Sequence, residues 1–378
     1  MLRRTIGVLA TAALAAVIVG ACSSSDTSGV AGDAATGASS SSASASVSSS
    51  SVASSSSSST GAGGGGGGAP FPLPSDIGFA PGADFPAGEL LVFNDWNAIP
   101  NTLSAVPIGG GAATVILSAD TLWSVGVART SRKVAFSAGF STDVQLAHYG
   151  VDIGSAIEPS WLYDPSTREI SQLSDGNLND ECHLFSQDEQ TLYLCRRYDF
   201  TETSNKGYRV GKVDMSTLAF TFLTADLPDE LDFHPAVDAA ETSLLFGAVL
   251  IQGTTQSRQI DALALPSGLP SVALADADAP VFSPDFSKVA FTNYADAGAL
   301  YVASPTLQAP VKIATEGGDE AAWSPDGTRV AYLVFDDALG CSHIHSVAAD
   351  GSEADAPTTL RDCGATGEFI TTLAWLPP

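Results

Sequence analysis

Acidic side chains recur four positions upstream of a repeated apolar or aromatic residue, and their spacing is the first feature of this chain that could do chemistry. Glu181, Asp229, Asp278 and Asp319 stand four residues before Phe185, Phe233, Phe282 and Trp323, with Asp180, Glu230 and Glu320 beside them. Carboxylates brought to one rim would make an electronegative mouth, fit for a hard cation such as calcium or for a basic peptide segment. The plainer reading is preferred: solvated loop carboxylates. Two exposed charges ~8 Å apart repel by only ~0.5 kcal/mol in water, and salt screens them further, so such a ring needs no ion. His183 and His234 fall near the same positions and could join an acid in a metal-dependent lyase or hydrolase site. His343 and His345 alternate on one strand face with Cys341; two imidazoles suit zinc or copper, but no third ligand is evident. Trp96, Trp123 and Trp161 could line a sugar or peptide groove, or pack as core. No serine elbow, zincin motif, EF-hand loop or phosphate-cradling loop occurs, so no catalytic residue, metal ligand or cofactor is assigned.

Besides Cys22 the chain has four cysteines. Cys182 and Cys195 lie symmetrically about a turn between Asp188 and Glu189, and Cys341 and Cys363 about a turn at Ser352. That symmetry predicts two local disulfides, Cys182–Cys195 and Cys341–Cys363; the alternative is four buried free thiols.

The elements that must position these residues are written in a repeat. FSPDFSKVAF (Phe282 to Phe291) and WSPDGTRVAY (Trp323 to Tyr332) are near copies, and weaker copies open at Val127, Phe185 and Phe233, with a last anchor at Trp375. The six anchors are 41 to 58 positions apart. In the fifth unit, Ala279 to Ser283, Lys288 to Tyr294, Ala299 to Ala303 and Val311 to Ala314 read as four short strands, with Pro and Asp making the first bend. Four-stranded units without helices predict an all-β, six-bladed β-propeller. Glu89 to Asn94 lacks a first strand and Thr371 to Leu376 lacks a second, so the C-terminal strand should complete the first blade and close the ring, hiding two edges.

The aromatic-Ser-Pro-Asp turn followed by Arg/Lys-Val-Ala-Phe/Tyr resembles the repeat of TolB-like six-bladed propellers and of the propeller domains of prolyl oligopeptidases. It covers residues 89–378. The α/β domain of TolB and the hydrolase domain of the peptidases have no counterpart in this sequence, so the resemblance does not carry peptidase activity with it.

Residues 1–21 have the order of an export signal, Arg3 and Arg4 followed by an apolar run. Val19-Gly20-Ala21-Cys22 resembles the lipobox of bacterial lipoproteins, which implies lipidation at Cys22; Ser23 in place of Asp leans toward the outer membrane. Residues 22–68, almost wholly Ser, Ala, Gly and Thr, have no apolar periodicity and read as a disordered tether; 69–88 form a Pro-rich lead-in. Acids outnumber bases 42 to 16, for a net charge of −26, which disfavours nucleic acid and anionic lipid surfaces as partners. The whole predicts a monomeric, lipid-anchored binding or scaffolding module of the cell envelope whose partner is an envelope protein or basic peptide segment; the competing class is the metal-dependent lyase or hydrolase.

Overall fold

The structure is a computed structural model that describes residues 77–139, 158–174, 179–197, 207–225, 227, 229–266, 268–318 and 320–378. Cys22, the signal, the tether and Asp319 lie outside them. Six antiparallel sheets form the blades. From the centre outward, blade two is Trp123–Val127, Val134–Ser137, Ser160–Asp164 and Glu169–Gln172; blade three is Asn179–Phe185, Thr191–Arg197, Arg209–Asp214 and Phe220–Phe222. Blade four is Glu230–Val237, Ser243–Gln252, Thr255–Ala264 and Ser271–Ala275; blade five is Ala277–Phe282, Val289–Asn293, Ala299–Ala303 and Val311–Ala314. Blade six is Ala321–Trp323, Arg329–Asp336, Cys341–Ala348 and Thr358–Arg361.

Blade one is made from both ends of the described chain. Leu373–Leu376 is its innermost strand, followed by Leu90–Asp95, Asn101–Pro107 and Thr114–Ala119, with Ala80–Pro81 added at the outer edge. Leu90 pairs with Leu376 and Leu91 with Trp375, so the ring closes as predicted. The Trp375 indole also donates to Glu89 Oε1 at 2.6 Å.

The core lies between blades. The anchor and alternate residues of the second strand face the preceding blade, because side chains on a strand repeat every second position. Trp323, Val330 and Tyr332 of blade six pack on Ala290, Leu300 and Ile313 of blade five. The other face of blade six, Ala322, Ala331 and Leu333, packs on Leu91, Phe93 and Trp375 of blade one. The remaining four interfaces repeat the arrangement.

The repeated turn is held by its own side chains. In blade six the Ser324 hydroxyl donates to Asp326 at 2.7 Å, the Thr328 N–H donates to the same carboxylate, and Arg329 N–H donates back to Ser324 Oγ. Blade five repeats this with Ser283, Asp285 and Ser287. In blade four the anchor is Val237, not Phe233. Val237 pairs with Leu244 across a turn in which Asp238 accepts from Thr242 N–H and Glu241 takes φ 51°, so the turn has the length it has between Phe282 and Val289 and between Trp323 and Val330. Phe233 imitates an anchor because it also packs against blade three, its ring 4.9 Å from that of Tyr208.

One predicted disulfide is formed: Cys341 is bonded to Cys363. Cys182 and Cys195 are thiols in the structure. Pairing about the Asp188–Glu189 turn is symmetrical as far as Tyr193 with Leu184, and then a bulge shifts the register so that Cys195 faces Glu181. Cys182, at φ 58°, is the extra residue of that bulge.

Candidate functional site at the mouth face

The innermost strands of blades two to five share a device at the end where they enter. The third residue before the anchor, Ser124, Cys182, His234 or Ala279, lies in the left-handed region with φ between 39° and 58°. Each marks a break in pairing with the second strand. A bulge there bends the strand and re-aims its neighbours toward the next blade. None of these residues is glycine, so nothing in the sequence announces the conformation.

The bulges assemble a chain of buried charges. Asp278 of blade five is fully buried; its carboxylate accepts from Arg258 at 2.6 Å, from the Ala279 N–H at 2.7 Å and from His234 Nδ1 at 3.1 Å. Burial alone would raise its pKa, but the His234 charge and bond, with Arg258, hold it down at about 2. For His234 burial opposes the charge, and Asp278 overrides it, raising the imidazole to about 10; the two are an ion pair at neutral pH. Gly247 makes room for this group: a Cβ there would come within 1.8 Å of Asp278 Oδ1.

In blade three, Arg196 grips Asp180 with two bonds of 2.7 and 2.9 Å. Ser160 Oγ lies 2.8 Å from Asp180 Oδ2 and 2.7 Å from His183 Nε2, while His183 Nδ1 lies 2.7 Å from the Ser124 carbonyl. Burial lowers His183 to about 4, so the ring is neutral, and its Nδ1 donates to the Ser124 carbonyl. A serine, a histidine and an aspartate thus touch, but the aspartate sits on the serine rather than behind the imidazole, and all three are buried. The arrangement joins blades and lacks the order that activates a nucleophile.

The four predicted mouth acids therefore part company. Glu181 is buried; it accepts from the Tyr208 hydroxyl at 2.5 Å and from Trp123, while burial pushes its carboxyl above the usual range. Asp278 is buried in its ion pair. Asp229 is exposed and belongs to a different position, since the true anchor of blade four places Phe233 where an acid was expected. Asp319 lies outside the described residues. A second acidic group, Glu230, Asp232 and Asp261, faces blade three, where burial, with Glu230 and Asp261 adding to it, raises Asp232 to about 8. Asp232 Oδ1 is buried with no hydrogen-bond partner.

The histidines do not converge. His183 and His234 hold the separate partners just described. His343 lies between Asp336 and Asp362, and Cys363 N–H donates to its Nδ1 at 3.2 Å. Among the described residues no three of His, Cys, Asp and Glu are placed to hold a metal ion. Two shallow grooves, of about 240 and 390 Å³, lie elsewhere, against the Ser324–Arg329 turn.

The tryptophans divide as well. Trp161 is core, 1 % exposed. Trp96 and Trp123 pair at the mouth face, ring centroids 4.4 Å apart, and the row continues through Phe369, 6.2 Å from Trp96, to Phe335, 5.4 Å from Phe369. The row runs from Glu181 outward over blades two, one and six. The segment carrying Phe369 is fixed in place. Trp96 N–H donates to the Phe369 carbonyl, Phe369 N–H to Asp95, Ser342 N–H to the Glu368 carbonyl, and the Cys341–Cys363 bond anchors its start. Neither Phe335 nor Phe369 stands out by sequence position; Phe335 follows a strand pattern as though it were core.

The fold is that of known six-bladed propellers of the TolB type. TolB of Acinetobacter baumannii superposes with a TM-score of 0.58 at 17 % identity, over 78 % of this chain and 68 % of that one. A TolB candidate of Agrobacterium tumefaciens gives 0.51 at 11 % identity, over 72 % and 88 %. A chain of a nidogen/laminin complex gives 0.52 at 10 % identity, over 76 % and 98 %. No protein-family profile matches the sequence, and no curated protein matches it significantly.

Proposed function

We propose that this chain is a lipid-anchored propeller of the cell envelope that binds another protein through its mouth face and serves as a scaffold there. One observation carries the reading. Asp180, Glu181 and Asp278 of the mouth are consumed in bonds that tie blades together, whereas the adjacent face presents rigidly held, exposed rings. That is the composition of a contact surface, in which buried polar groups are satisfied internally and aromatic anchors meet the partner. The TolB-type fold and the likeness to a chain solved within a complex of two proteins support it, and Val19-Gly20-Ala21-Cys22 supports the lipid anchor. No cofactor enters this reading.

The test is photo-crosslinking in intact cells, with a photoreactive residue at Ile99 on the mouth face or at Leu218 in a turn of blade three. Discrete cross-linked protein species from position 99 and none from 218 are expected. No species from 99, or the same species from both, overturns the reading. Mass spectrometry of the mature N-terminus checks the anchor: a diacylglyceryl Cys22 is expected, and an unmodified one refutes it.

A further inference from the structure

We infer that the aromatic row over blades six, one and two is a docking strip for an extended protein segment that alternates basic and apolar side chains. This rests on the protein-binding reading and names its surface and the chemistry of the partner. The strip is solvent-facing where it has no structural need to be. Phe335 is 44 % exposed, Trp96 36 %, Leu339 58 % and Ile99 98 %. Leu339 packs toward the turn after Cys363, at the start of the segment that carries Phe369. Apolar surface of this kind, contiguous and flanked by charge, marks interaction sites rather than scattered surface residues.

Three observations choose the occupant. The first is charge. Asp95, Asp336, Asp337 and Asp362 border the rings, while Glu368 is neutralised by Arg361, the base in their midst, which is only 14 % exposed. A segment with lysines or arginines between its apolar residues meets complementary charge on both sides, and arginine can also lie on the indole faces. The second is the use of hydrogen-bonding groups. A sugar needs free donors and acceptors beside its aromatic platform, but Asp95 Oδ1 accepts from Asn97 and Phe369 N–H, Asn97 Nδ2 donates to the Gly367 carbonyl, and Ser342 Oγ donates to the Ile370 carbonyl. What the strip offers is ring faces and carboxylates. The third is rigidity. The disulfide and the backbone bonds at Trp96 and Ser342 hold the rings before any partner arrives, which lowers the ordering cost of binding. An anionic lipid surface is repelled by the same border.

The test uses the full chain in detergent and two pentapeptide amides as probes. One alternates lysine and arginine with leucine and phenylalanine; the other has glutamate in place of each base. Neither contains tryptophan, so the fluorescence of Trp96 and Trp123 reports binding. The basic probe should quench that fluorescence saturably, and the acidic one should bind at least tenfold more weakly. Trp96→Ala and Phe335→Ser should each weaken the basic probe at least fivefold, with unchanged circular dichroism, and Leu218→Ser should leave it unaltered. Raising salt should weaken binding further. Equal binding of both probes, indifference to the two ring substitutions, or no quenching overturns the inference. So do stronger quenching by N-acetylglucosamine oligomers, or self-association of the chain that Phe335→Ser abolishes; these assign the strip to a glycan or to a second copy. If the probe fails while cross-links from position 99 persist, the strip assignment falls and the protein-binding reading stands. Loss of both removes both.

Discussion

Over blades three to five the mouth face keeps charge inside: Asp180 on Arg196, and Asp278 on Arg258 and His234, all shielded between sheets. Over blades six, one and two it keeps apolar rings outside, with Trp96 and Phe335 partly bare to solvent. Each half inverts the ordinary rule that apolar groups are buried and charged groups exposed. The difference teaches where to look for function. Buried ion pairs are costly to assemble and fix the relative placement of blades; they do not offer their charge to a ligand. Exposed rings cost stability unless something covers them.

The largest effect should come from breaking the charged half. Asp278→Ala leaves the half-buried His234 and Arg258 without their counter-charge, and chemical denaturation should show a loss of about 3–5 kcal/mol. A loss near zero would erase the distinction between the halves. Removing the staple of the aromatic half comes next. Cys363→Ala opens a loop spanning 22 positions and should cost about 3 kcal/mol by the same measurement. Gly247→Ala crowds the Asp278 carboxylate and should cost about 1–3 kcal/mol, with the alkaline response of the ion pair altered.

A pH titration sharpens the comparison, because the ion pair of His234 and Asp278 lies in the charged half. His234, raised to about 10, contributes fully below its ordinary pKa near 6.5 and loses that contribution as pH rises through 10. Asp232, raised to about 8, contributes fully below the ordinary carboxylate range and loses it as pH rises through 8. Asp278, held at about 2, loses its contribution only as pH falls through 2. The melting temperature should therefore fall between pH 6 and 9, and Asp232→Asn should flatten that fall below pH 8. An unchanged slope in Asp232→Asn refutes the assignment. The smallest effect belongs to the rings. Trp96→Ala should change stability by less than about 1 kcal/mol, since its ring contacts are partly exposed.

The ring of six blades and its closure were legible because they are written in periodicity: the anchor, the Ser-x-Asp turn and the Val-Ala-Phe strand recur, and Glu89–Asn94 visibly lacks a partner. Register within a blade was less so. Phe233 was a better aromatic than Val237, and only the left-handed Glu241 and the carboxylate of Asp238 show where the turn lies. The bulge at Cys182 was invisible for a related reason: a one-residue slip changes which side chains face each other without changing the pattern of residue types. The fate of the mouth acids could not be read because their partners come from other blades; Arg258 lies 20 positions from Asp278 and His234 lies 44. The aromatic row is a property of four loops and strand ends in three blades, with no motif of its own.

The closing strand has a consequence for how the molecule comes into being. The bond from Trp375 to Glu89 joins positions 286 apart, and the Leu90–Leu376 pairing beside it is as distant. The loop-closure entropy of that pairing must be met before any of its contacts is gained, so it belongs late in folding. Blades two to five can stack on one another beforehand, but the Trp375 side of blade six and the whole inner edge of blade one wait for the last strand. The aromatic row straddles that seam: Trp96 leaves blade one, and Phe369 lies just ahead of the closing strand. The strip is thus completed in the same event that completes the ring, and a chain that has not finished folding does not present it.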